Sequence, residues 1–216
     1  MNRGDFLWLG VLCGLSAILI VPFTHQIFIS NTQNHPYIMG FIKFGVLATM
    51  GELLALRIVS GRWIKPVGMP YKCLIWGLIG MCIVLMFDIF QNGVAGSVRN
   101  GLLFAGNGEY SRVLNAFYIS TIMNLTFGPV FMAAHRVTDT YIDLREGGQN
   151  PGWFSVVAKI DWQGFIRFVV GKTIPYFWIP AHTITFLLPP EYRVLMAAYL
   201  SICLGAILSY ARRSRN

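Results

Sequence analysis

Charged residues are scarce in this sequence. Only 12% of its 216 residues are Asp, Glu, Lys or Arg, whereas soluble domains carry about 25%. The short segments of alternating polarity that an outer-membrane barrel would show are also missing. Because 55% of the chain is hydrophobic, the composition excludes an ordinary soluble domain. It favours a helical membrane protein, since helices satisfy their own backbone polar groups in lipid.

Catalytic and redox motifs are likewise missing. The four cysteines form no CxxC pair, and the chain has no GxSG, HExxH or Walker loop. Asp139 and Asp143 share one predicted helical face with His135, but the element that precedes such a DxxxD pair in phospholipid transferases is lacking. We therefore interpret the two aspartates as a solvated helix end. We expect no enzyme activity, no metal and no cofactor.

Long apolar runs are what the sequence does contain. A helix needs about 20 such residues to cross a bilayer. The predicted spans are 6–29, 37–57, 73–94, 113–135, about 173–188, and 192–211. The sequence thus predicts an all-α integral membrane protein, a compact bundle of about six helices forming a single domain over 1–216. Pro22 is expected to bend the first span, and Pro175 and Pro180 to break the fifth.

The basic residues indicate an orientation. With six spans and the N-terminus inside, thirteen of the seventeen Lys and Arg residues lie on the cytoplasmic side, which is the bias that membrane insertion produces. Lys43 falls within a span. Only Arg99, Arg112 and Arg193 lie outside. Because the cations are spread over loops and the C-terminal tail, the net charge of +8 reflects orientation and not nucleic-acid binding.

The longest predicted inner loop contains a helix signal. Asn150 followed by Pro151 is typical of a helix start. Trp153, Phe154, Val157 and Ile160 would then share one apolar face. We expect Pro151–Ile160 to lie on the membrane surface as a short interfacial helix, anchored also by Trp162.

Five of the polar side chains inside the predicted spans are candidates for a functional site. An ionisable or strongly polar group costs free energy in lipid, which makes it a functional candidate. We expect these five to line a pore or a polar interior: Lys43, Glu52, Asp88, Asn124 and His182.

The expected partners of these side chains follow from their depth. Lys43 and Asp88 lie at similar depth, so we predict an ion pair, either a clasp between helices or part of a polar path. Glu52 needs a partner among Arg57, Asn124 and His135. Asn124 is expected first to form a hydrogen bond between two helices. His182 is either a core residue or part of a site in a broken helix.

Short motifs in the second half of the chain follow one another in an order that can be compared with known membrane protein families. They are Trp162, Trp178-Ile-Pro-Ala181, Phe186-Leu-Leu-Pro-Pro190, Tyr192-Arg193 and Leu208-Ser-Tyr210; upstream stand His35-Pro36, Gly51-Glu52, and Asn124 with Pro129. Over about 35–213 the chain resembles the peroxisomal membrane protein family, also called the Mpv-seventeen family. The resemblance implies a small integral membrane protein that acts as a channel or solute pathway.

These expectations combine into one functional hypothesis. The protein is expected to be a channel or solute-permeation protein whose partners are the lipid bilayer and small solutes or ions. A homo-oligomer is also compatible with the sequence. The alternative is a membrane scaffold that binds other proteins and transports nothing. A bacterial inner membrane is the expected location, and for a eukaryotic source a mitochondrial inner or peroxisomal membrane.

The orientation predicts that both termini face the cytoplasm. In a variant with all four cysteines replaced by alanine, Asn2→Cys and Asn216→Cys should escape an impermeant maleimide in intact cells and react after permeabilisation. The reason is the cytoplasmic excess of Lys and Arg. Labelling of one terminus alone in intact cells would mean an odd number of spans.

Overall fold

The computed structural model describes residues 2–213, and α-helices make up most of them. Position 216 and Arg215 of the basic C-terminal cluster lie outside this range. The elements are α1 (Arg3–Ala17), α2 (Pro22–Asn34), α3 (Pro36–Ser60), α4 (Met69–Arg99), α5 (Gly108–Glu146), α6 (Trp153–Lys159), the single turn α7 (Trp162–Gly164), a π-helix (Phe165–Trp178), α8 (Ile179–Leu187) and α9 (Pro190–Arg213).

Four of the six predicted spans are helices long and apolar enough to cross a membrane. They are Pro36–Ser60, Met69–Arg99, Gly108–Glu146 and Pro190–Tyr210. A fifth crossing is counted if α1 and α2 together form one span. The six-span arrangement is therefore not confirmed across residues 2–213, whereas the all-helical membrane class is.

Exposed apolar side chains support the membrane assignment. Leu78 and Leu85 on α4 and Leu125 and Val130 on α5 are among the many large hydrophobic residues that the fold leaves uncovered. Large apolar patches on a soluble monomer are rare, but a lipid-facing helix requires them. The chain is thus an integral membrane protein by its helix lengths and by its surface.

The predicted first span is two helices. Helices α1 and α2 are bent by 78° at the break between Ala17 and Pro22. Proline at the first position of α2 cannot donate a hydrogen bond back into α1, so the bend falls where Pro22 predicts it. After the bend, α2 packs against α3 and α9, and this position decides the surroundings of Lys43.

The predicted fifth span is not broken at its prolines. The chain stays helical from Trp162 to Leu187, but over Phe165–Trp178 it widens into a π-helix. The amide of Ile179 donates to the carbonyl of Ile174, five residues back. The ring of Pro175 would clash with the carbonyl of Gly171 in an α-helix, and the wider turn relieves that clash. A π-helix of 14 residues is unusual, since most are single turns.

Helix α3 lies at the centre of the bundle, packed between α4 and α9. Its glycines allow these close approaches. A Cβ on Gly40 would lie 2.8 Å from the carbonyl oxygen of Gly80 on α4. A Cβ on Gly51 would lie 3.2 Å from the Cα of Ile202 on α9. Small residues at helix crossings are typical of membrane bundles, where van der Waals packing supplies much of the association energy.

The predicted interfacial helix is present but shorter. It is α6, which begins at Trp153 with Gly152 as its N-cap, so Pro151 is not its first-turn residue. Trp153 stacks on Tyr141 of α5, Phe154 is 93% exposed, and Val156 is fully buried. Three of the four residues predicted for its apolar face, Trp153, Phe154 and Val157, are therefore exposed, as contact with lipid would require, whereas Ile160 is buried. The position of the helix on the membrane surface stays a prediction.

The Gly40–Gly80 crossing should not tolerate a methyl group. In Gly80→Ala the new Cβ would lie 2.8 Å from Phe44 Cβ and would overlap the Gly40 carbonyl. We expect a loss of about 1–3 kcal/mol in the free energy of unfolding in detergent, as for an overpacked core.

Gly93→Ala on the same helix is the matched control. Its Cβ would meet nothing within 4 Å, so alanine should be neutral or stabilise the helix by roughly 0.5–1 kcal/mol. Equal effects of the two substitutions would show that the crossing is not tightly packed.

Candidate functional site

A cavity of about 380 Å³ lies inside the bundle, between α3, α4, α5, α9 and the π-helix. On α5 its lining residues run from Met123 to Asp139. At 1.5 Å per residue this stretch is about 24 Å long. The cavity is therefore elongated along the bundle axis, and most of its wall is apolar and aromatic. Its two ends are named here by the nearer loop, the 61–68 end and the 100–107 end.

Glu52 lies in the cavity wall towards the 61–68 end. Its Oε1 accepts a hydrogen bond of 2.7 Å from the indole Nε1 of Trp76. The Trp76 ring in turn packs against His135, with 4.2 Å between ring centroids. None of the predicted partners therefore bonds to Glu52, and Arg57 instead pairs with Asp5 at 2.9 Å. Trp76 was missed because a membrane tryptophan is usually interpreted as an interfacial anchor.

Lys72 lies beside the 61–68 end, against Asp139, the last residue of α5 that lines the cavity. Its Nζ lies 3.0 Å from Oδ1 of Asp139 and 3.0 Å from Oδ1 of Asp143. Lys72 is buried, whereas the two carboxylates are 32% and 52% exposed. Both acids reach solvent, as the interpretation of a solvated helix end expects, but that interpretation lacked the lysine that they share. The four-residue spacing of this DxxxD pair places both acids on one face of α5, and that spacing was the available signal for a shared cation.

Asn124 and His182 meet further along the cavity, towards the 100–107 end. Nδ2 of Asn124 donates to the Ser120 carbonyl at 2.8 Å and lies 3.0 Å from Nδ1 of His182. The helix–helix hydrogen bond predicted for Asn124 is thus confirmed. His182 is buried, stacks on Trp178 and meets the edge of Phe87. Both Asn124 and His182 also line the cavity.

A second cavity, larger at about 600 Å³ and more open to the surface, lies towards the 100–107 end. We call it the vestibule. On α5 it is lined by positions between Gly108 and Ile119, directly before the stretch that lines the inner cavity. Phe87 and His182 line only the inner cavity and Phe186 only the vestibule. Phe87 packs against both, with 4.9 Å to Phe186 and 5.8 Å to His182. These three rings form an aromatic layer between the two cavities.

Lys43 and Asp88 lie outside this site, and their predicted ion pair is wrong. Lys43 is buried under α2, where its Nζ donates to Oγ1 of Thr32 at 2.9 Å and lies 4.5 Å from the Phe28 ring centroid. Asp88 is exposed, because its neighbour Phe87 faces the core and successive helical side chains point about 100° apart. Because the bend folds α2 over α3, Thr32 and Phe28 of α2 lie beside Lys43. The prediction from depth did not include these partners.

Three of the five predicted interior residues therefore line one cavity, namely Glu52, Asn124 and His182. Across the described part of the chain, no three His, Cys, Asp or Glu side chains converge as metal ligands would. Comparison of the chain with protein-family models, curated proteins and solved structures found no match. The resemblance to the peroxisomal membrane protein family stays a prediction, as does the choice of membrane.

Replacing Lys72 should destabilise the protein more than replacing the exposed Lys65. Lys72→Met leaves the facing carboxylates of Asp139 and Asp143 without their cation. Because both are partly exposed, we expect a loss of about 1–3 kcal/mol in the free energy of unfolding, below the value for a fully buried pair.

Lys65→Met tests the same change of residue at an exposed position of the adjoining loop. It should stay within about 0.5 kcal/mol of the parent protein. Both variants can be compared by equilibrium unfolding in detergent, and indistinguishable losses would show that the two ion pairs add no stability.

Proposed function

We propose that this protein lets a small solute cross a membrane through the inner cavity and the vestibule. The observation that carries the proposal is their arrangement in series. Along α5 the vestibule is lined up to Ile119 and the inner cavity from Met123 onwards. Together they follow roughly 45 Å of helix between Gly108 and Asp139, which exceeds the hydrocarbon thickness of about 30 Å.

The polar groups along this route support passage. A solute would meet Arg112 and Arg193 in the vestibule, His182 in the aromatic layer with Asn124 beside it, and Glu52 near the 61–68 end. Each can exchange a hydrogen bond with a molecule that has left its water shell, so part of the desolvation cost is offset. Lys43 and Asp88 take no part in this route.

A bundle acting only as a scaffold would gain stability by filling such a space. Empty volume weakens a packed interior, at a cost that grows with the size of the cavity. A cavity of about 380 Å³ that reaches Glu52 is therefore hard to reconcile with packing alone. It is in the size range of small-molecule sites, which extend from about 300 to 1,000 Å³.

The aromatic layer would act as the constriction of the route. Phe186 and Phe87 are 7% exposed or less and fill the space between the two cavities. Passage then requires these rings to change rotamer, a motion that fits a gated pathway better than an open pore. Removing a ring at this layer and adding one in the inner cavity should have opposite effects on flux.

Two substitutions test this expectation. Leu204→Trp, which fills the inner cavity, should reduce solute entry into proteoliposomes at least several-fold. Phe186→Ala, which opens the aromatic layer, should raise it. Entry is measured by conductance and by stopped-flow swelling with small neutral, cationic and anionic solutes. Because loss of stability alone would lower both rates, the opposite signs are diagnostic.

Leu78→Trp on the exposed face of α4 and Phe117→Ala on the exposed face of α5 are the matched controls. Both should leave the flux unchanged. A parent protein that conducts none of the solutes would favour the scaffold, and so would a flux that Leu204→Trp and Leu78→Trp lower equally.

A further inference from the structure

Two arginines converge on the vestibule from different helices. Arg112 extends from the second turn of α5 and Arg193 from the first turn of α9. The Arg193 guanidinium lies 5.7 Å from the ring centroid of Phe186, directly at the aromatic layer. Of the three cations that the sequence places on this side of the membrane, these two line one cavity, while Arg99 does not.

Neutral groups hold both guanidinium groups in place. Arg112 Nη2 donates to the carbonyl of Leu187 at 2.7 Å, and Arg193 Nε donates to that of Leu188 at 2.9 Å. Arg193 also donates to the side chain of Gln91. These contacts orient the guanidinium groups without neutralising their charge. Because Arg has five N–H donors, each group keeps donors free for a ligand.

No acid lines the vestibule in the part of the chain that the structure describes. Glu191, the acid nearest to Arg193 along the chain, accepts a hydrogen bond of 2.8 Å from Gln33 and forms no ion pair with either arginine. Glu109 is exposed and lies outside the lining. Glu191 attracts Arg193 from outside the lining, and Arg112 repels it across the vestibule. An anion inside the vestibule would be attracted by both arginines.

The surrounding backbone adds to the positive potential. The vestibule is bordered by the first residues of α5, at Gly108 and Ser111, and by Pro190 at the start of α9. The amino-terminal end of a helix carries a partial positive charge. Two such ends and two guanidinium groups therefore face the same space.

We propose that the vestibule is a binding site for an oxyanion, a phosphate or carboxylate group held between Arg112 and Arg193. The planar guanidinium matches the paired oxygens of these groups and can bind them through two parallel hydrogen bonds. The inference concerns binding alone and holds whether or not the anion passes the aromatic layer. The same chemistry can come from a soluble anion or from the headgroup of an anionic lipid.

The experiment is calorimetric titration of the purified protein in a non-ionic detergent at low salt. Inorganic phosphate and acetate represent the soluble anions. Short-chain phosphatidylglycerol is compared with short-chain phosphatidylcholine, whose headgroup has no net charge. The variants are Arg112→Gln, Arg193→Gln and the double variant, with Arg99→Gln as the matched control on the same side of the bundle.

Phosphate should bind the parent protein, and each vestibule substitution should weaken it about tenfold, as expected for one charge-assisted hydrogen bond. Arg99→Gln should leave the affinity unchanged. If phosphatidylglycerol binds more tightly than phosphate and phosphatidylcholine does not bind, the site takes a lipid headgroup. If phosphate binds more tightly, it takes a soluble anion. Both results support the site.

Three results would overturn the inference. The first is no measurable binding of any of these anions to the parent protein. The second is equal affinity of the parent and the double variant, and the third is an equal loss in Arg99→Gln, which would indicate diffuse surface charge. Circular dichroism is used to check that Arg193→Gln is folded. Because Arg112 is more exposed, Arg112→Gln tests the contribution of the site to anion affinity independently. None of these results bears on the flux measurements that decide the proposed pathway.

Discussion

The bundle depends on how closely α3 can approach its two neighbours. Gly40 meets Gly80 on α4, and Gly51 meets Ile202 on α9, so α3 is packed on both sides along its length. In lipid the hydrophobic effect does little to hold helices together, and the crossing geometry follows from the smallest residues. Glu52, one residue after Gly51 on α3, bonds to Trp76 of α4 and lines the cavity that α5 borders from the other side. The inner cavity thus lies next to the most closely packed helix of the bundle.

The sequence predicted the helical class and most of the helix positions, because span length and composition are set by the bilayer. It did not predict the shape of two segments. The run 6–29 became two helices bent by 78°, and the proline-rich segment became a π-helix and not a break. Proline identifies where an α-helix is disturbed, but whether the chain bends or widens depends on what packs against it.

The sequence predicted the candidate site only in part, because it shows which residues lie in the membrane but not what packs against them. Hydrophobic context marked Glu52, Asn124 and His182 as interior polar residues, and all three line the inner cavity. Depth alone paired Lys43 with Asp88, which fails because depth does not determine which face of a helix points inwards. The aromatic residues Trp76, Phe87 and Phe186 carried no polar signal in the sequence, since aromatic side chains in a membrane segment usually pack against lipid or core.

The charged side chains of the bundle separate into two kinds by their partners. Lys72 faces two carboxylates and Arg57 faces one, so their contacts with Asp139, Asp143 and Asp5 account for them structurally. Glu52, Arg112 and Arg193 are instead oriented by an indole, backbone carbonyls and an amide. A charge in a membrane protein is costly when no opposite charge accompanies it. Three of the groups held by neutral partners, Glu52, Arg112 and Arg193, line the two cavities, where a charged or polar ligand could reach them. Lys43, held by Thr32, lies apart from both cavities under α2.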